Sequence, residues 1–435
     1  MTYYPPLRKH NFDWDFMNNF SHIISSIEKY LWEKLYCEKT SLFYDRICKG
    51  DDRFAELPTL DEISKQFPNP CGWSTGMEDC SINAGHMLEI LSLQHTVSYE
   101  NIFTKAECVI KGIHLCQSVH GKLGFLVRGV SPFDKKSCYF NSSRDQITMV
   151  VGGLFDIYNG VPTLPANQQE QIKEILFNIA TYTKNTVTKE NNYSYLRLDG
   201  GKAVVSDLWN CDVHEMLRLP MIYAAAGEIC KCEEFSLLAL SYMEEGLKAS
   251  EAFDKEKYFW DFPLVQMQLS LHILLHCPTL KAYHKRIEKL MKNVAFTAKR
   301  EFLNVLERCE VYTGDWNAYC NNWRTLPMYV TPATIADNPH NTVFDGYTYL
   351  NPAYNKDFAI IVEYLRSLGN YLVATLLAPK ISLDQADINR FISFLSNLDF
   401  SQCTHAGPFS LLHGLLLLCA PSHQKTLNRT AYVKA

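Results

Sequence analysis

About twelve amphipathic segments follow one another along this 435-residue chain, joined by connections that alternate between short and long. Apolar residues recur three and four apart over 15–36, 80–95, 100–119, 144–160, 166–189, 206–227, 231–248, 261–276, 280–307, 357–377, 383–397 and 408–419, the spacing of helices with one buried face. Links from an even segment to the next odd one are short: VPTLPA at 161–166, EICK near 228–231 and CPTLK at 277–281. Links from odd to even are long: 120–143, 190–205 and 308–356. Short links make tight antiparallel hairpins, so the expected fold is all-α, a ring of six helical hairpins forming one domain over 1–435. Every second segment also opens on an acid or a histidine. These are Glu78 and Asp79, Asp145, Asp207 and Asp212, Asp261, Asp357 and His405. Long loops and polar helix starts therefore converge on one face, built from loops 67–80, 120–145, 190–212 and 308–357, as expected where a scaffold supports a site.

Local signals refine this. Ser143 with Gln146 three residues on predicts a capping box, and Ser206 is the expected cap of the helix over 206–227. Pro165 and Pro278 stand near two further starts, where a fixed φ helps and a missing N–H costs little. Short β-hairpins are expected in two long loops, around Ser131-Pro132-Phe133-Asp134 and, on the stronger turn signal, around Asp199-Gly200-Gly201.

Apolar residues at 47% and charged residues at 20% are a globular balance, and a formal charge of -5 argues against nucleic acid as a partner. The longest apolar run, Phe409 to Ala420, is too short to span a bilayer, so no membrane partner is expected. Fifteen scattered cysteines without a CxxC pair read as a reducing compartment, several of them (Cys108, Cys116, Cys277) lying in apolar runs. The opening MTYYPPLRKHNFDWDF has no apolar core of a signal peptide; the expectation is a cytoplasmic protein, or a periplasmic one had a leader been removed. No cofactor is expected. His405 and His413, eight apart, match no zinc spacing, HExxH and GxSxG are absent, and Gly152-Gly153 follows no strand, so no metal or nucleotide is expected either.

Six hairpins with acids at alternate helix starts resemble the (α/α)6 toroid of the six-hairpin glycosidases. Two stretches carry the resemblance further: Gly72-Trp73-Ser74-Thr75-Gly76-Met77-Glu78-Asp79-Cys80, and Arg128-Gly129-Val130-Ser131-Pro132 leading to Asn141-Ser142-Ser143-Arg144-Asp145-Gln146. Both are similar to segments of carbohydrate-active members of that superfamily. In its unsaturated glucuronyl and rhamnogalacturonyl hydrolases, two Asp residues at the starts of successive inner helices face the substrate. The resemblance places Asp79 and Asp145 at those positions.

It implies a hydrolase that cleaves a glycosidic bond in a di- or oligosaccharide with Asp79 and Asp145 as the catalytic pair. That chemistry needs one carboxyl protonated and one ionised. Asp145 sits in a first helical turn, which favours the ion, among the polar side chains of Arg144 and residues 141–143. Expected sugar contacts are Trp73, Glu78, Arg128, Arg144, Gln146, Asp207, Trp209, His214 and Trp316, together with His340 in the long loop. Trp73, Trp209, Trp260, Trp316 and Trp323 all lie near helix starts or in that loop, where indole faces stack on sugars. Arg128 and Arg144 could grip a uronic carboxylate in a bidentate pair. Asp207 and His214, seven apart on one helix, share a face, while Asp212 points elsewhere. The competing expectations are an epimerase or lyase on the same scaffold, with His and Tyr moving protons at carbon, and a non-catalytic ring that binds glycan or protein.

Overall fold

The structure, a computed structural model, describes residues 14–96, 101–320, 322–330 and 343–419. Twelve long helices stand out among them: α1 (Trp14–Tyr30), α2 (Cys80–Thr96), α3 (Ile102–Ser118), α4 (Arg144–Gly160), α5 (Ala166–Thr186), α6 (Arg218–Cys230), α7 (Glu233–Ser250), α8 (Asp261–His276), α9 (His284–Val311), α10 (Lys356–Leu376), α11 (Gln385–Ser396) and α12 (Pro408–Cys419). The even-numbered helices form a closed inner ring. Each packs on the next in the order α2, α4, α6, α8, α10, α12, and α12 returns to α2. The odd-numbered helices lie outside, with α3, α5, α7 and α9 against their inner neighbours, α1 against α12, and α11 against α1 and α9. The inner helices are consequently buried on most faces, as α4, α6, α8 and α12 show in nearly unbroken runs of buried residues. A helix apolar all round belongs in a core. Where α2 and α4 touch, a Cβ on Gly85 would strike the Met149 carbonyl and one on Gly153 the Gly85 carbonyl, so the two backbones meet directly.

Four short antiparallel ladders decorate the long loops: β1 (Tyr36–Cys37) with β2 (Leu42–Phe43), β3 (Ser194–Leu196) with β4 (Lys202–Asp207), β5 (Met328–Val330) with β8 (Leu350–Pro352), and β6 (Val343–Phe344) with β7 (Tyr347–Thr348). The β3–β4 hairpin turns at Asp199-Gly200-Gly201, with Gly200 at φ +87°. The loop around Ser131 makes only an isolated bridge between Val130 and Cys138.

Several boundaries differ from the periodicity. The first helix ends at Tyr30 and widens into a π-turn over Leu31–Leu35. The helix expected over 206–227 begins only at Arg218, because residues to Asp207 belong to β4 and those between form turns. Ser206 is therefore no cap; its hydroxyl pairs with Ser194 across the hairpin at 2.6 Å. The capping box at α4 is half formed. Ser143 Oγ accepts from the Gln146 backbone N–H at 3.3 Å, but the Gln146 side chain turns to α2. All fifteen cysteines are free thiols. No helix among the described residues is long and apolar enough to cross a membrane.

Candidate functional site

The segment 44–47, between β2 and the short helix Leu60–Ser64, is threaded between two other stretches. The Asp45 N–H donates to the Gly76 carbonyl at 2.9 Å. The Ala406 N–H donates to the Asp45 carbonyl at 2.9 Å, and the Ile47 N–H to Thr404 at 3.0 Å. This lacing delivers Asp45 and Arg46 to the starts of α2 and α12. There they line a cavity of about 420 Å³ together with residues from the starts of α8 and α10 and from the loop before α10.

Acids and bases face this space through contrasting partners. Glu78 is clamped: its carboxylate accepts from the Ser74 N–H at 2.8 Å, the Gly76 N–H at 2.6 Å and Arg46 Nη2 at 3.2 Å. Asp79 accepts from Gln146 Nε2 at 2.7 Å and from Arg128 Nη1 at 3.3 Å, and its side chain keeps 26% of its surface open. Burial raises its pKa to about 6, Arg128 opposes the rise, Glu78 adds to it, and Gln146 again lowers it. Asp45 has a poorer environment. Burial pushes it well above the usual carboxylate range, the charges of Glu78 and Asp79 push further, and Arg46 and a long 3.4 Å contact from Asn83 only partly compensate. Both carboxyls are thus pushed up by burial, Asp45 with fewer compensating donors than Asp79.

Arg46 lies 4.2 Å from the Tyr354 ring centroid, in cation–π range, and Arg366 holds Asp261 through Nε at 3.1 Å while lining the cavity. His405 is buried on the same wall. Its Nδ1 accepts the Gly407 N–H at 3.1 Å, and its Nε2 has no protein partner among the described residues. Burial and the neighbouring Arg46 and Arg366 lower its pKa to about 3, so the ring is neutral with its proton on Nε2. Trp73, Phe262, Phe358 and Phe409 supply apolar walls. Such a mixture, aromatic walls with many converging charged and polar groups, suits a small polar ligand.

Of the residues singled out in the sequence, Trp73, Glu78, Asp79 and His405 line the cavity. Arg128 and Gln146 sit behind Asp79 and hold it. Asp145 lies outside the lining and belongs to a second charged cluster between α4 and α6. Its Oδ1 is 2.5 Å from Arg218 Nη1, and its charge adds the smallest upward push on Asp79. In that cluster Glu215 contacts Arg144, lies 3.4 Å from His214 Nε2 and lies 3.7 Å from Arg218. Arg144 and Arg128 are thus committed to internal partners. Asp207 ends β4, its carbonyl 3.4 Å from Arg144, and His214 lies in the turn before α6, so the two do not share a helix face. Trp209 is a core residue packed edge-on against Tyr242, and Trp316 packs against Tyr312 and Phe394. Trp323 is buried and Trp260 exposed, neither on the cavity. His340 lies outside the described residues. Asp261 is buried beneath Arg366 and Asn370, and Asp357 accepts the Tyr312 hydroxyl at 2.7 Å.

Asp45, Arg46, Tyr354 and Arg366 were not visible as site residues. Asp45-Arg46 falls in an aperiodic stretch, and Arg366 lies a few turns inside α10. The local signal was an arginine one turn before the buried Asn370 in a mostly apolar helix.

Neither a protein-family model nor a curated protein matches the chain. Among solved structures, a sugar epimerase from a ruminal bacterium aligns with 67% of this chain and 82% of its own at 12% identity, with a TM-score of 0.37. A likeness at that level extends to no residue of the site and to no chemistry.

Proposed function

We propose that the cavity between α2, α8, α10 and α12 is the active site of a carbohydrate-active hydrolase, with Asp45 as general acid and Asp79 as general base. The observation that carries this reading is the pair of carboxyls facing one aromatic-walled cavity, one poorly solvated and one held by Gln146 and Arg128. Glycosidic cleavage needs such a division, a protonated carboxyl for the leaving oxygen and an ionised one for water or the anomeric carbon. Trp73 offers an indole face at the rim, and Arg366 is the cation placed to meet a uronic carboxylate, the task the sequence assigned to Arg128 and Arg144. The partner of Asp79 in this reading is Asp45 and not Asp145, whose carboxylate is taken up by Arg218.

The test is a panel of ordinary, uronic and unsaturated oligosaccharides assayed by mass spectrometry. Hydrolysis adds water and divides the substrate, whereas lyase action leaves an ultraviolet-absorbing double bond. Asp45→Asn and Asp79→Asn should each cut turnover by roughly 10²–10⁴-fold in a folded protein, and Arg366→Ala should slow acidic sugars more than neutral ones. Turnover undiminished by both Asp substitutions would sink the reading. One observation favours a second reading, epimerisation: two imidazoles, His86 and His405, line the same cavity, and burial is the first cause lowering each to about 3. An epimerised product keeps its mass in water and gains deuterium at one carbon in heavy water.

A further inference from the structure

Beside the cavity, the interior of the ring holds a group of titratable side chains that the Asp45–Asp79 pair does not use. His86 and Glu89, three apart, lie on one face of α2, and His413 reaches them from α12. All three residues are at most 5% exposed. Glu89 Oε2 lies 3.2 Å from His413 Nδ1 and 3.6 Å from His86 Nδ1, and one donor atom from each residue falls within 4.8 Å of the other two. Both Nδ1 atoms and both Glu89 oxygens are without a hydrogen-bond partner among the described residues. A buried carboxylate with no donor is expensive, and such groups are paired or coordinate a metal. Tetrahedral zinc with N and O bonds of about 2.0–2.1 Å separates its ligands by roughly 3.3–3.4 Å. The distances of 3.2 and 3.6 Å bracket that edge.

We propose that His86, Glu89 and His413 form a binding site for a divalent transition-metal ion, with zinc the best fit to two imidazoles and one carboxylate. Three protein ligands leave one position for water or substrate, and His86, which also lines the cavity, connects that position to the adjacent site. His86 and Glu89, three apart on one helix, supply two ligands locally, and ring closure brings the third, His413, to them. A second group, Asp212, His214 and Glu215, is weaker, because Glu215 is already occupied by Arg144 and Arg218. The proposal holds whether or not the cavity binds sugar.

Titration of the chelator-stripped full chain with Co(II), followed by displacement with Zn(II), tests it. We expect one Co(II) per chain, with the visible absorption of a four- or five-coordinate nitrogen and oxygen site, lost on adding zinc. His413→Ala and Glu89→Gln should weaken binding by at least ~100-fold, more than loss of an outer partner does. Asp212→Ala should leave it unchanged. If His413→Ala fails to fold, Glu89→Gln, which keeps the side-chain shape, carries the test with circular dichroism as the check on folding. Three results would overturn the proposal: no saturable binding, undiminished binding in folded Glu89→Gln, or a near-ultraviolet thiolate band placing the ion on cysteine.

Discussion

Asp45 and Asp79 meet the same cavity through different partners, and the difference sets the pH at which each can act. With Asp79 at about 6, kcat/KM should rise as pH passes through that value, and Asp79→Asn should lower kcat by roughly 10²–10⁴-fold. A profile flat between pH 5 and 7 would remove Asp79 as the base. The same shift has a stability consequence. The folded pKa lies above the ordinary value of 3.8, so the fold is favoured below 3.8, and that advantage is lost as pH rises through about 6. The difference is on the order of 2–3 kcal/mol, and Asn, which never ionises, escapes it. Urea unfolding should therefore show Asp79→Asn gaining on the native protein between pH 4 and 7 and levelling off above. A constant difference across that range would show that Asp79 does not ionise against the fold. Asp79 was legible because it opens a helix after a turn-rich stretch. Asp45 was not, because its place depends on backbone bonds to residues about 30 and 360 positions away along the chain, which no local pattern encodes.

Between elements, a cluster of charges joins the starts of α4 and α6. Glu215 lies among Arg144, Arg218 and His214, and although burial pushes it up, these partners bring it to about 2. A depressed folded pKa contributes stability that is present above 4.5 and lost as pH falls toward 2. Glu215→Gln leaves the half-buried Arg144 without its carboxylate and the buried Arg218 with Asp145 alone, and should cost about 3 kcal/mol at neutral pH, the low end of the cost of breaking a buried pair. That cost should shrink in acid, and denaturant unfolding at pH 7 and pH 3 checks both statements. Equal losses at both pH values would mean that Glu215 acts by packing alone. The neighbouring α2–α4 contact rests on the absence of side chains. Gly153→Ala should cost about 1–3 kcal/mol, because its Cβ meets backbone that cannot move without spreading the ring; an unchanged melting temperature would show that the helices can part freely. Helices such as Arg144–Gly160 and Asp261–His276 were legible to the residue because their apolar faces are uninterrupted. The start of α6 was not. Val204, Leu208 and Trp209 are spaced like a helix face, yet the hairpin buries Val204 and the turn after it buries the other two.

At the scale of the whole molecule, the alternation of short and long links specified the ring, and what it left open was where on the ring the site would fall. Four long loops were expected to share one face, but the cavity occupies the sector where the first inner helix meets the last. That sector is the seam of the ring. Phe43 and Phe409 pack edge to face at 5.2 Å beneath it, the Tyr30 hydroxyl donates to the His405 carbonyl at 2.9 Å, and segment 44–47 bonds to both sides. Closing a ring in this way makes each inner helix depend on two neighbours, unlike an open repeat array in which an end can fray alone. Phe409→Ala should cost about 3–5 kcal/mol as a large-to-small core change. Its distinguishing effect should be spatial. Hydrogen exchange should accelerate in α2 and in α10 together, since α12 packs between them, while α5 and α7 on the far side stay protected. Acceleration confined to α12 would mean that the ring opens hairpin by hairpin, and the site would then owe its geometry to local loops instead of to closure.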